Sequence, residues 1–266
     1  MKILLVYAHP EPRSLNGALK DFAVQHLQNA GHDVQVSDLY AMRWKAGLDA
    51  NDSSAPAGGE SWRATRESQY AFANGTPKRG YRGRTGEALW ADTVIFQFPL
   101  WWFSLPAIMK GWIDRVYAYG FAYGVGEHSE THWGDRYGEG TFAGKRAMLV
   151  VTRGGMGGAL TRPRGINGSI DDILFPIQHG MLFFPGFDVL PPVVFYRTDK
   201  LDEQRFAALR DALARRLDTL SENTAYSLPS SEPRRLSDPL SEPASGSGAG
   251  RKRPRYSREA CVNLGG

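Results

Sequence analysis

Residues 96–115, FQFPLWWFSLPAIMKGWIDR, restrict the fold of this chain more than any other stretch. A largely apolar run from Thr93 to Phe98 stops at Pro99, two tryptophans and a phenylalanine follow, and a helix opens near Leu105–Pro106. Strand, aromatic loop and helix in that order are how an open α/β sheet builds a ligand crevice at the carboxyl end of a strand. A flat aromatic ligand needs backbone polar groups for its edge and bulky side chains for its faces. Trp101, Trp102 and Phe103 therefore have two readings at this point: core aromatics beside a tight turn, or the walls of such a crevice.

The same unit recurs along the chain. Ile3 to Tyr7 is apolar on both faces, as in a parallel strand covered by helices. Ser14 is placed to cap a helix running to about Asn29, Gly31 ends it, and Asp33 to Ser37 alternates as a second strand. Residues 40–85 are rich in Gly, Ala, Ser, Asn and Arg, with helical character around Trp62–Phe72, and predict excursions over the surface. Glu87 to Asp92 closes a helix, Thr93 to Phe98 is a third strand, and Pro106 to Tyr119 is amphipathic. Phe121 to Thr141 reads as a long loop, Arg146 to Thr152 as a fourth strand and the Gly-rich 153–168 as another loop. A helix is expected over Ser169 to Met181. An edge strand interrupted by Pro191–Pro192 follows, then a strong amphipathic helix over Leu201 to Leu220. Strands alternating with helices, joined by right-handed crossovers, predict a doubly wound α/β fold: a flavodoxin-like five-stranded parallel sheet of order 2-1-3-4-5 with helices on both faces.

Composition bounds the rest. Of 266 residues, 42% are hydrophobic and 23% charged, which is the profile of a soluble globular protein. Residues 1–221 read as one domain, and 222–266, rich in Pro, Ser, Gly and Arg, as a disordered basic tail. The Arg251–Arg258 cluster in that tail reads as a solvated face, so nucleic acid is not an expected partner. The single cysteine, Cys261, excludes intramolecular disulfides and Cys-rich metal sites, and a reducing cytoplasm fits. No apolar stretch approaches the ~20 residues of a membrane span.

Three loops carry the candidate chemistry. His9-Pro-Glu-Pro-Arg-Ser14-Leu15-Asn16 lies between the first strand and the first helix, where free N–H groups and the helix dipole favour an anion. There is no Gly-x-Gly-x-x-Gly and no Walker pattern. Residues 99–104 suit a ring face, and 152–168 supply backbone donors through Gly154–Gly155. In the order 2-1-3-4-5 all three follow neighbouring strands and converge at one edge. Such a set suits a flavin nucleotide.

The chain resembles the NAD(P)H:quinone oxidoreductase family, to which DT-diaphorase belongs. The resemblance lies in VYAHPEPRSLNGAL (6–19), SDLYAM (37–42), WADTVIFQFPLWWFSLPAIMKGWIDRVYAYGFAYG (90–124), FAGKRAMLVVTRGG (142–155) and RGINGSIDDILFPIQHGMLFFPGFDVLPP (164–192). It implies a two-electron reductase carrying FAD rather than FMN, with NAD(P)H as hydride donor and a quinone as acceptor, and no metal. By position, His9, Ser14, Leu15 and Asn16 match residues at the nucleotide end of FAD. Pro99, Leu100, Trp101, Trp102 and Phe103 match the loop along the isoalloxazine, and Thr152, Arg153, Gly154 and Gly155 the loop at its pyrimidine edge. Tyr123, with Trp102, matches the border of the substrate pocket, and Arg205 falls near an arginine at the adenine end. A homodimer with active sites at the subunit interface is implied.

The pattern breaks at one place. The family's second loop threonine is Arg153 here, its tyrosine falls on Leu160 or Thr161, and the histidine of mammalian members falls on Asn167. Those family groups stabilise charge on the reduced flavin. The expectation is that Arg153 supplies a fixed positive charge near flavin N1/O2 and Asn167 a neutral donor; the bland alternative turns Arg153 to solvent. The missing tyrosine also raises a rival reading, a flavin-binding protein with little turnover.

Overall fold

The computed structural model describes residues 1–52, 61–75, 79–129, 132–154, 166–199, 201–222 and 224–226, with backbone alone at 79–82. Six strands form one parallel sheet: β1 (Lys2–Tyr7), β2 (Asp33–Asp38), β3 (Thr93–Pro99), β4 (Arg146–Thr152), β5 (Asp188–Val189) and β6 (Val193–Phe195). The order is β2-β1-β3-β4-β5, with β6 also on β4, as the sequence predicts. Pro191 and Pro192 split the fifth position in two. Lacking N–H groups, they cannot donate to the ladder, so β5 pairs with the start of β4 and β6 with its end.

Among the described residues, α1 (Leu15–Asn29), α2 (Ala64–Ala73), α3 (Arg79–Trp90), α4 (Ala107–Val116) and α5 (Ile170–Ile177) lie between the strands, and α6 (Glu203–Asp218) follows the last of them. The side-chain period of two sorts the strands between two cores. Leu4, Val6, Val94, Phe96 and Phe98 pack with Trp112, Phe142 and Leu174 on one face. Ile3, Leu5, Tyr7, Ile95 and Met148 pack with Leu19, Leu27 and Leu213, from α1 and α6, on the other. No helix among the described residues is long and apolar enough to cross a membrane.

Three boundaries differ from the sequence reading. Pro99 does not end β3 early; it is the last strand residue, paired with Thr152 beyond the reach of β1. A proline is tolerated there because only one neighbour remains to be satisfied. α4 stops at Val116 rather than Tyr119, since Tyr117 leaves helical geometry to pack edge-on against Trp112 and beside Phe142. The helix after residue 169 holds α-geometry only to Ile177 and widens into a π-helical turn over Gln178–Phe183. Pro176 sits just before that widening, and a proline inside a helix disrupts the i→i−4 ladder.

The poorly patterned segment after β2 is anchored by α4. Arg115, 7% exposed, donates to the carbonyls of Gly111 (2.9 Å), Ala46 (3.4 Å) and Gly47, and its Nε lies 3.2 Å from Asp52 Oδ1. Gly111 is required at the crossing, because a Cβ there would lie 2.1 Å from the Ala46 carbonyl oxygen. A backbone oxygen cannot rotate aside as a side chain can. Gly111→Ala is therefore expected to cost about 1–3 kcal/mol in urea unfolding, the range for overpacking; an unchanged midpoint contradicts the close approach.

Candidate functional site

The loops after β1, β3 and β4 open at the carboxyl edge of the sheet. The first folds tightly over the start of α1. Ser14 Oγ caps the helix by accepting from the Gly17 N–H at 3.1 Å. Gly17 is obligatory, since a Cβ would lie 1.8 Å from the Pro12 carbonyl oxygen. His9 Nδ1 lies 3.1 Å from the Glu11 backbone N–H, which leaves Nε2 as the ring nitrogen for a ligand. Leu15 packs on the α1-side core, so its contribution to a ligand comes from its backbone and its exposed edge.

Trp101, Trp102 and Phe103 are not core aromatics. They are 41%, 93% and 50% exposed. Trp101 and Ser104 exchange backbone hydrogen bonds at 3.2 and 3.0 Å, closing a tight turn whose central residues, Trp102 and Phe103, have φ of 47° and 61°. Such turns normally use Asn-Gly. A side chain in left-handed backbone costs about 1–2 kcal/mol per residue, and residues held that way cluster at ligand clamps. The turn holds aromatic surface out in solvent at the mouth of the edge. The N–H groups of Trp102 and Phe103 lie outside the turn's own hydrogen bonds, while Leu100 N–H is spent on Thr152 O at 2.8 Å.

Beneath this loop runs a buried polar line. Gln97 Nε2 donates to Asn16 O at 2.7 Å, and Asn16 Nδ2 donates to Thr152 Oγ1 at 2.6 Å. Gln97, Asn16 and Thr152 are 0%, 4% and 3% exposed. Gln97 is a residue the sequence reading missed. Its signal was present, an amide inside TVIFQFP, a strand that is otherwise apolar apart from its first residue.

Arg153 does not point freely into solvent. It is half-buried, and its Nη1 is buried without a hydrogen-bond partner among the described residues. Its backbone N–H bonds Phe195 O at 2.8 Å, and its carbonyl accepts from Thr198. Arg205, from the first turn of α6, grips Tyr196 O through Nη2 at 3.0 Å and leaves Nε buried and unsatisfied. Arg153 through its backbone and Arg205 through its guanidinium thus both bond 195–198, and each holds a buried donor unmet among the described residues. Buried donors normally find partners, so this pair fits an anionic ligand. Asn167 is half-buried in the turn two residues before Ser169, whose capping box with Asp172 opens α5. Gly154 is exposed at the end of β4; Gly155, Leu160 and Thr161 lie outside the described residues.

Tyr123 is not brought to these loops within one chain. It stacks edge-on against Tyr119 at 5.3 Å and lines a cavity of about 330 Å3 with Ile113, Asp114, Tyr117 and Phe184. That cavity is at the far end of α4, about 15 Å of helix from the aromatic turn at 1.5 Å per residue. In the same long loop, ligand atoms of His132, Asp135 and Glu139 lie within 4.8 Å of one another.

The flavodoxin-like fold family matches residues 1–218. A ribosyldihydronicotinamide dehydrogenase-like protein of Penicillium crustosum is 53% identical over 211 residues, 78% of this chain and 78% of its own. NAD(P)H dehydrogenase (quinone) 1 of Rattus norvegicus is 36% identical over 232 residues, 86% of this chain and 81% of its own. A crystal structure from Klebsiella pneumoniae, assigned as a quinone reductase, superposes with a TM-score of 0.84 at 70% identity, covering 86% of this chain and 88% of the other.

Tyr7 ends β1 under the first loop, 1% exposed. Burial above all, with the carboxylates of Asp38, Asp21 and Glu11 adding to it, pushes its phenol up to about 12. An unfolded tyrosine ionises near pH 10. Between those values the unfolded state has lost a proton that the native state keeps, so stability falls as pH rises. The unfolding midpoint is expected to drop from pH 9.5 to pH 11.5 in the parent protein, and to drop less in Tyr7→Phe; equal drops exclude the effect.

Proposed function

The chain belongs to the flavodoxin-like family that contains the quinone dehydrogenases, and from that premise we propose that it is a flavin-dependent NAD(P)H:quinone oxidoreductase. The observation that carries the proposal is the exposed, left-handed Trp102–Phe103 turn, together with the buried donors of Arg153 and Arg205 that find no partner among the described residues. A flat ring with an anionic tail answers both features. The flavin supplies the redox chemistry, taking hydride from the nicotinamide and passing hydride to the quinone, which with a solvent proton becomes the hydroquinone.

Each residue then has a limited task. The first-turn N–H groups of α1, with His9 and Ser14, receive phosphate at a helix N-terminus. Pro99, Leu100, Trp101, Trp102 and Phe103 line one face of the ring and exclude water from it. Thr152, Gly154 and Gly155 border its pyrimidine edge. Arg153 fixes a positive charge where negative charge develops on reduction, the general electrostatic strategy, and Asn167 adds a neutral donor. Arg205 lies toward the adenine end, which favours FAD over FMN. Nicotinamide and quinone would take turns in the one site, which is ping-pong exchange.

The remote position of Tyr123 supports a homodimer. If this tyrosine borders the substrate pocket, a second copy must bring it there. A flavoprotein without turnover is not favoured, because the relatives that span the domain are named as dehydrogenases.

Purified protein is expected to show a flavin spectrum and to oxidise NADH or NADPH with menadione, giving parallel double-reciprocal plots. Colourless protein that takes up neither FAD nor FMN refutes the proposal. For Arg153→Ala, stopped-flow reduction of the bound flavin is expected to slow by about a hundredfold, the scale of losing one preorganised electrostatic partner; an unchanged rate removes Arg153 from the mechanism.

A further inference from the structure

We infer that Gln97 is a positioning residue, the clasp that joins the three cofactor loops into one unit. The inference rests on the reading above that this edge binds a flavin nucleotide. Gln97 sits in the centre of the sheet, beside Tyr7 on β1 and Val150 on β4. Its amide points to the α1 side, where its other strand neighbours are apolar. Its Nε2 holds the Asn16 carbonyl at 2.7 Å, and the Asn16 side chain in turn holds Thr152 at 2.6 Å. One chain of two hydrogen bonds therefore connects β3, the first turn of α1 and the end of β4.

The geometry is poor as a device for stability. Gln97 Oε1 and Asn16 Oδ1 are both buried with no hydrogen-bond partner among the described residues. A half-satisfied buried amide is worth less than an apolar residue of the same shape. What the amide does is directional. Asn16 is the second residue of α1, so its own N–H is among the free first-turn donors. Fixing its carbonyl to β3 and its side chain to β4 aims those donors out of the sheet edge, and it does so from the strand that carries the aromatic turn. Helix dipole, ring wall and Arg153 are then held in one mutual orientation. No step of hydride transfer passes through Gln97; it acts through Asn16.

The test uses the full-length apoprotein and flavin titrated by fluorescence quenching. Gln97→Met keeps the length and removes the amide. Its flavin Kd is expected to rise about tenfold, the order of one buried hydrogen bond. With flavin saturating, KM for menadione is expected to stay as in the parent. Thr152→Val cuts the other end of the clasp and serves if Gln97→Met does not fold; the same tenfold is expected. The double variant is expected to lose less than the product of the two single losses, because both substitutions release Asn16, whatever Thr152 adds by its own place at the ring edge. Thr93→Val is the control. Thr93 Oγ1 is also buried without a partner, on the same strand, but at the amino end away from the site. Its flavin Kd is expected to stay unchanged. Parental flavin affinity in Gln97→Met, additive losses in the double variant, or an equal loss in Thr93→Val each overturns the inference while leaving the flavoprotein reading intact. A parent protein that binds no flavin overturns both.

Discussion

β1 and β3 lie side by side, and the helices that follow them leave on opposite faces of the sheet. α1 covers the face of Ile3, Leu5 and Tyr7, whereas α4 covers that of Leu4, Val6 and Phe96. Parallel strands force every crossover to return to the same edge, so the loops after β1, β3 and β4 all open at the carboxyl ends. Where consecutive helices diverge, nothing fills the gap between their starts. That gap is the crevice, and it follows from handedness and burial rather than from any residue placed to make it.

What the chain adds is a concentration of costly features at that gap. Elsewhere the strand interiors are mostly Val, Ile, Leu, Met and Phe, and their burial is the ordinary source of stability. At the carboxyl edge the same strands carry Gln97 and Thr152, met by Asn16 from α1, and beyond them stand two left-handed aromatics and two arginines with buried unmet donors. Each of these lowers stability in the free protein. A bound flavin nucleotide would satisfy donors and cover rings at once, so binding and stability are linked here in the same contacts.

The opposite end of α4 is organised differently. Arg115 ties the excursion after β2 to the helix, and Gly111 lets the two backbones touch. Tyr117, Tyr119 and Tyr123 turn the chain back toward β4 through edge-on aromatic contacts. The cavity there is bordered by the π-helical turn, a local widening that the proline in α5 precedes. Tyr123 belongs to this end, at the opposite end of α4 from the aromatic turn.

The order of the sheet, the helix on each crossover and the three converging loops were legible in the sequence, because apolar period and turn residues are local signals. The placement of His9, Ser14, Asn16, Trp102 and Arg153 at the carboxyl ends of neighbouring strands was legible too, since a loop between a strand and a helix has only one edge on which to lie. Other things required the folded chain. Gln97 passed as one more residue of a buried strand until Asn16, 81 positions away, appeared as its acceptor. The aromatic trio had two readings until its backbone proved left-handed and its side chains exposed. Arg153 was open between solvent and site in the sequence; the folded chain leaves it half-buried, with one guanidinium nitrogen enclosed. Sequence specifies which elements form, because their causes are near neighbours; which polar atoms are buried, and against what, is decided by contacts between distant segments that exist only after the sheet has closed.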